Sequence, residues 1–226
     1  MKKHVTLFSS VLMMSTTLLG AGGVFAEEAN PKDAQTSVSA TLTVDTSEKP
    51  TLPGGTTDTD HTDNNTTAAF GIAYQPKTLT GSKKLNASGK QEIELTNNTT
   101  TSGYHVGVKD LTREQHEWNL TAKLSWTGEN SKYMDGSEIK LAGGVVKQNN
   151  SGTLNALTNE EVTGNSEVTI SSSPSAVMTS NKSKTQNGVY DYGFTSANLS
   201  IPSVEKVPSG TYAGTIDWNL SLVPGE

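Results

Sequence analysis

Trp118-Asn-Leu-Thr-Ala-Lys-Leu-Ser-Trp126 is the stretch that decides the fold. Trp118, Leu120, Ala122, Leu124 and Trp126 fall at alternate positions, with Asn119, Thr121, Lys123 and Ser125 between them. Side chains alternate across a strand with a period of two, so a strand here places all five apolar residues on one face. Near the end of the sequence Ile216, Trp218, Leu220 and Leu222 repeat the pattern, with Asp217, Asn219 and Ser221 opposite. The tripeptide Trp-Asn-Leu therefore occurs twice, each time inside the most apolar alternating run. Two readings of these tryptophans stay open: large side chains that fill a lean core, or exposed rings that stack on a ligand.

Outward from these runs, shorter alternating segments predict strands over residues 91–96, 104–109, 138–141, 167–171, 189–195 and 197–201. Turn chemistry separates them at Asn86-Ala-Ser-Gly89, Asn97-Asn98, Gly143-Gly144, Asn149-Asn-Ser-Gly152, Asn187-Gly188 and Pro208-Ser-Gly210. Composition agrees: the 226 residues include 32 Thr, 25 Ser and 17 Asn, types that disfavour helix interiors and suit strands and turns. One capping-box pattern, Thr112-Arg-Glu-Gln115, predicts at most a single helical turn. The expected class is all-β, an antiparallel β-sandwich or barrel-like module with a disordered acidic linker before it.

The N-terminal third is organised differently. Basic Lys2, Lys3 and His4, an apolar stretch from Val5 to Gly23 and the small residues Val24 and Ala26 predict a signal peptide over 1–26. Val38, Ala40, Leu42 and Val44 then alternate as a short isolated strand. From Thr46 to Thr67, Pro, Gly, Thr, Asp and Asn follow with no apolar residue after Leu52, the composition of a flexible linker, so residues 27–67 precede a β-domain over 68–226. Asp58, Asp60 and Asp63 lack the glycine and glutamate of a calcium loop, so no metal is expected. With no cysteine, thiol catalysis, cysteine zinc sites and lipid anchoring drop out. Removing Lys2 and Lys3 takes the formal net charge from −6 to −8, which argues against nucleic acid and anionic membranes as partners.

Trp118-Asn119-Leu120 and Trp218-Asn219-Leu220 resemble the paired Trp-x-Leu motifs of WxL-domain surface proteins of Gram-positive bacteria. The second copy carries the fuller context: Tyr212-Ala-Gly-Thr-Ile-Asp-Trp218-Asn-Leu220-Ser-Leu-Val-Pro224 is similar to the family's C-terminal pattern. The first copy departs from it. Val108-Lys-Asp110-Leu-Thr-Arg113 has one residue more than the family's Val-x-Asp-x-Arg, Glu117 stands where a glycine is common, and Trp126 is added. The resemblance spans about Val38 to Glu226. It implies a secreted, non-catalytic protein of the cell surface that attaches non-covalently to peptidoglycan, with both Trp-x-Leu tripeptides as the binding motif. It also implies assembly with other WxL proteins and with a membrane-anchored partner bearing extracellular immunoglobulin-like domains, and it leaves adhesion to host extracellular matrix as a further role. A sorting signal of the Leu-Pro-x-Thr-Gly type is not seen at the end of the sequence, which suits non-covalent retention.

Peptidoglycan offers C–H faces of sugars and polar peptide stems, so aromatic rings beside amides and hydroxyls suit it. Trp126, Tyr190, Tyr192 and Tyr212 join Trp118 and Trp218 as candidate contacts. The competing reading is an adhesin or structural subunit held by a protein partner, through a sheet edge that accepts another strand. An enzyme is a third reading. His105 and His116 could join Asp110 or Glu114, but no nucleophile elbow, zinc spacing or phosphate loop accompanies them. Glu92 and Glu94, alternating with Ile93 and Leu95, read as the solvated face of a strand. Neither a cofactor nor a membrane-inserted segment is expected of the mature chain.

Overall fold

The computed structural model describes residues 34–45, 47, 49–97 and 103–223. The expected signal peptide lies outside the described residues. The chain divides into two units, 1–41 and 42–226. Of the first, residues 34–41 are described; they are exposed and pair with no strand. The predicted strand at 38–44 thus pairs with no strand among the described residues, with Val38 and Leu42 exposed at 91% and 94%. An isolated strand has no ladder to join, and its period alone does not supply one.

Among the described residues of the second unit there are fourteen strands. They are β1 (His61–Asp63), β2 (Phe70–Pro76), β3 (Gln91–Leu95), β4 (Tyr104–Asp110) and β5 (Trp118–Thr127). Then come β6 (Glu138–Ala142), β7 (Val145–Asn150), β8 (Thr153–Ala156), β9 (Val162–Gly164) and β10 (Glu167–Ile170). The last are β11 (Ser175–Ser180), β12 (Gly188–Phe194), β13 (Ser196–Ile201) and β14 (Ala213–Leu222). Every pairing is antiparallel, in three sheets of order β1-β2-β4-β12-β7-β8, β10-β6-β13-β3 and β14-β5-β11-β9, with no closed barrel. The all-β expectation holds. At residues 111–117 no helix forms among the described residues: Arg113 takes φ 58°, a left-handed value that stops a helical turn.

Alternation decides what each sheet buries. On β12, Tyr190, Tyr192 and Phe194 enter the core, where Tyr190 meets Trp118 with ring centroids 6.3 Å apart and Phe194 stacks on Tyr104 at 5.0 Å. Such pairs contribute about 0.5–1.5 kcal/mol each beyond their burial. The four-stranded sheet of β10, β6, β13 and β3 turns Ile139, Leu141, Val168, Ile170, Leu199 and Ile201 to the same core. β7 and β8 join through Ser151 and Gly152 at φ 51° and 90°, two left-handed residues that match the twist of a two-residue hairpin.

Residues 50–63, part of the segment expected as a linker, form a strap. It lies on the face of the six-stranded sheet that carries Tyr74, His105, Asn149 and Asp191, away from the aromatic core. Asn149 Nδ2 donates to Thr51 O (2.7 Å) and to the Tyr74 hydroxyl (2.9 Å). Pro50 is buried, and the Asp58 carboxylate accepts from the backbone N–H groups of Gly54, Asp60 and His61. Covering this face hides it from water on both sides, so Val106, Gly107, Val108, Lys109 and Asp110 are all buried in succession. Gly107 is required here: a Cβ would overlap the Tyr74 ring.

Candidate binding cleft

The two Trp-x-Leu runs are direct neighbours. β14 pairs with β5 over ten positions without a shift, placing Leu220 opposite Leu120, Trp218 opposite Ala122 and Leu222 opposite Trp118. One face of the pair thus gathers the apolar residues of both runs. The two copies nonetheless differ in exposure, because β5 is flanked by β14 and β11 whereas β14 is the margin of its sheet.

Trp118 and Leu120 are wholly buried. The Trp118 indole donates to Asp110 Oδ2 (3.0 Å), and its backbone N–H donates to Ser180 Oγ (2.8 Å). Asn119 Oδ1 accepts from Thr179 Oγ1 at 2.7 Å. The first Trp-x-Leu copy is therefore framework, its tryptophan and leucine closed off from solvent. Tyr190 and Tyr192 are corrected likewise: both are buried as core residues of a central strand, and burial pushes both hydroxyls up to about 12. Tyr192 donates to Asn165 O (2.7 Å), so no aromatic platform forms on β12.

The second copy sits at a cleft. Trp218 and Leu220 are half-buried and Asn219 is exposed. Trp118 Nε1 donates to Asp110 and Trp126 Nε1 to Ser137 Oγ (2.8 Å), but among the described residues no group takes the Trp218 indole N–H. Trp218, Ile216 and Trp126 line one wall of a cavity of about 1100 Å³ between β14 and β3, the facing margins of the two four-stranded sheets. Ile93, Leu95 and Leu199 form the other wall. Its rim is made by residues 77–85 and 207–212, which bring Lys77, Lys83, Lys84, Tyr212 and several hydroxyls. Tyr212 is half-buried, and its hydroxyl donates to Pro208 O (2.7 Å), fixing one rim loop.

Of the sequence candidates, Trp126, Tyr212 and Trp218 line the cleft; Trp118, Asn119, Leu120, Tyr190, Tyr192, Asn219 and Leu220 do not. Ile93, Leu199 and the rim loops were missed as cleft residues. Their alternating pattern signals only a strand face, and nothing local says that the facing sheet stands off from it. The lysine pair Lys83-Lys84, the one adjacent basic pair of the mature sequence, is the signal that could have found the rim.

Three histidines, His61, His105 and His116, are each paired with a carboxylate. His61 Nδ1 lies 2.9 Å from Asp58 Oδ2, His105 Nδ1 2.8 Å from Asp191 Oδ1, and His116 Nε2 2.8 Å from Asp110 Oδ2. Burial holds the His61 imidazole below its usual value, opposed by the Asp58 charge. Burial raises Asp58, but the His61 charge and the hydrogen bonds from His61, Asp60 and Gly54 outweigh it, leaving the carboxyl below its usual range. The Tyr74 hydroxyl, buried and donating to Asp191 Oδ2 (2.8 Å), is pushed well above its usual value by burial and by that charge. These groups support one another. Among the described residues, no cluster of three or more His, Asp or Glu side chains could hold a metal ion, and no helix is long and apolar enough to cross a membrane.

A family model described as WxL domain, surface cell wall-binding, matches residues 29–224. No curated protein and no solved structure matches the chain.

Proposed function

Because the chain belongs to the WxL family of cell wall-binding surface domains, we propose that it is a secreted, non-catalytic protein of a Gram-positive surface that attaches non-covalently to peptidoglycan through the cleft beside Trp218. The observation that carries this reading is the contrast between the two motif tryptophans. Trp118 is sealed in the core with its N–H committed to Asp110, whereas Trp218 is half-buried on a cleft wall with its N–H uncommitted. An indole so placed offers a face to sugar C–H groups and a donor to a hydroxyl or amide. Rim lysines and hydroxyls supply the polar contacts around it. Lys77, Lys83 and Lys84 also give a net acidic chain a local positive rim toward anionic wall polymers.

The test is retention on protein-free Gram-positive sacculi, before and after stripping of secondary wall polymers. The parent chain is expected to be retained on stripped sacculi. Trp218→Ala is expected to bind about tenfold more weakly, a loss of about 1.4 kcal/mol, with an unchanged far-ultraviolet spectrum. If Trp218→Ala binds as well as the parent, the cleft is not the contact. If the folded parent is not retained on stripped sacculi, a partner protein or a wall polymer holds it.

A further inference from the structure

We propose that the open edge of β14 accepts the segment Val38–Val44 of a second copy of this chain as an added strand. This goes beyond wall attachment and does not depend on it.

The three open sheets leave six marginal strands. Five are blunted in the usual way, by shortness or by cover: β1 and β9 have three residues, β8 and β10 have four, and β3 has five and is followed by the bridge between Thr80 and Thr96. β14 differs. Its ten residues pair with β5 without a bulge, and Ala213-Gly-Thr-Ile-Asp-Trp-Asn-Leu-Ser-Leu222 contains neither lysine nor proline to deter pairing. Such an edge presents unpaired N–H and C=O groups to another strand.

The same chain carries a strand without a sheet. Val38-Ser-Ala-Thr-Leu-Thr-Val44 has the alternation of a strand and pairs with none among the described residues. Among the described residues, the large apolar ones that stand exposed are Val38, Leu42, Val44, Val145 and Leu222, so three lie on this segment and one on β14 itself. The two patterns also match in length. Apolar residues at 38, 40, 42 and 44 correspond to those at 216, 218, 220 and 222, and Ser39, Thr41 and Thr43 meet Asp217, Asn219 and Ser221 without like charges opposed. A strand added to β14 with its apolar face inward would set Val38, Leu42 and Val44 toward the mouth of the cleft between β14 and β3.

The donor is a second copy because the tether is short. Val44 is six residues from Pro50, which is buried, and Thr51 is held by Asn149 on the strap face, opposite the core. Six residues span at most about 21 Å. From the six-stranded sheet, where β7 lies beside β9, a strand added outside β14 is a sheet spacing of about 10 Å and four strand spacings of about 4.8 Å away, about 22 Å even in a straight line through the protein. A route around the sheet margin lengthens it further. Donor segment and acceptor edge are different surfaces, so each copy can give and receive at once, and the contact extends head to tail.

The chain has no cysteine, so introduced thiols report without background. One preparation carries Thr41→Cys, another Asn219→Cys; the two are mixed, oxidised mildly and run on a non-reducing gel beside sedimentation velocity of the parent. The expected result is a disulfide-linked pair of one copy of each, and a parent whose sedimentation coefficient rises with concentration. Leu42→Asp, at a side chain that supports no fold contact, is expected to weaken the association at least tenfold, and Leu222→Lys to do the same from the acceptor side. The proposal falls if the parent stays monomeric at every concentration, if Leu42→Asp associates like the parent, or if a chain carrying both cysteines closes only on itself.

Discussion

Asp110 shows how one buried carboxylate can make a tryptophan structural. It is wholly buried and accepts from Trp118 Nε1, His116 Nε2 and the Thr112 hydroxyl at 3.0, 2.8 and 2.7 Å. Each donor offsets part of the cost of holding a charge away from water, and removing one leaves the others to carry it. Trp118→Phe keeps most of the apolar volume but withdraws the indole N–H, so it should cost about 1–3 kcal/mol. Trp218→Phe, with no buried partner to abandon, should cost far less. Chemical denaturation of the two variants measures the difference; equal losses would mean that the hydrogen bond to Asp110 contributes nothing.

At the scale of elements, the strap of residues 50–63 is the part with a pH dependence. In the tautomer that the hydrogen bonds assign, His61 donates from Nδ1 to Asp58 while Nε2 accepts the His105 backbone N–H at 3.1 Å. A proton on Nε2 would face that N–H and find no acceptor. Since burial holds His61 below its ordinary 6.5 in the folded chain, the unfolded chain binds the proton first as pH falls. The strap's stability is therefore full above about pH 6.5 and declines below it until the folded value is reached. The contribution of Asp58, whose carboxyl is held below its ordinary 3.8, is present above that value and is lost only in stronger acid. Amide exchange of residues 58–63 and of His105, corrected for intrinsic rates, should quicken between pH 7 and about 5.5 while the β5 and β14 amides do not; uniform exchange across the two regions would refute it.

The same strap explains what was legible in the sequence. Strands with one face in the core and one in water, such as β3, β5, β13 and β14, announce themselves by alternation. β2 and β4 do so less because the strap covers their outer face, and Ala73 and Tyr74 are consecutive yet both buried. The strap itself is held by Asp58, His61, Asn149 and Tyr74 rather than by apolar burial, so its composition reads as a linker. β7, β8, β9 and β11 are short or polar, and β7 and β11 also pair with strands far along the chain, β12 and β5. For the candidate cleft, the motif marks β5 and β14, but which tryptophan is open depends on sheet order, with β5 inside and β14 at the margin. Local sequence does not encode that order.

At the scale of the whole molecule, the pairing is strongly non-local. β14 meets β5 across nearly half of the chain, and β12 lies between β4 and β7. Closing such loops costs entropy before any contact repays it, so refolding should take milliseconds to seconds. Stopped-flow tryptophan fluorescence checks this, and a microsecond phase carrying the full amplitude would contradict it.

The unbroken register between β14 and β5 also sets how the molecule answers a pull. If the cleft holds a rigid wall while flow drags the rest of the chain along the strand direction, the load falls in shear on ten paired positions together. A pull across the strand would meet them one after another, as a zipper opens. Grip under tension is thus anisotropic, and the direction in which the cleft seats its ligand decides how much force the attachment survives.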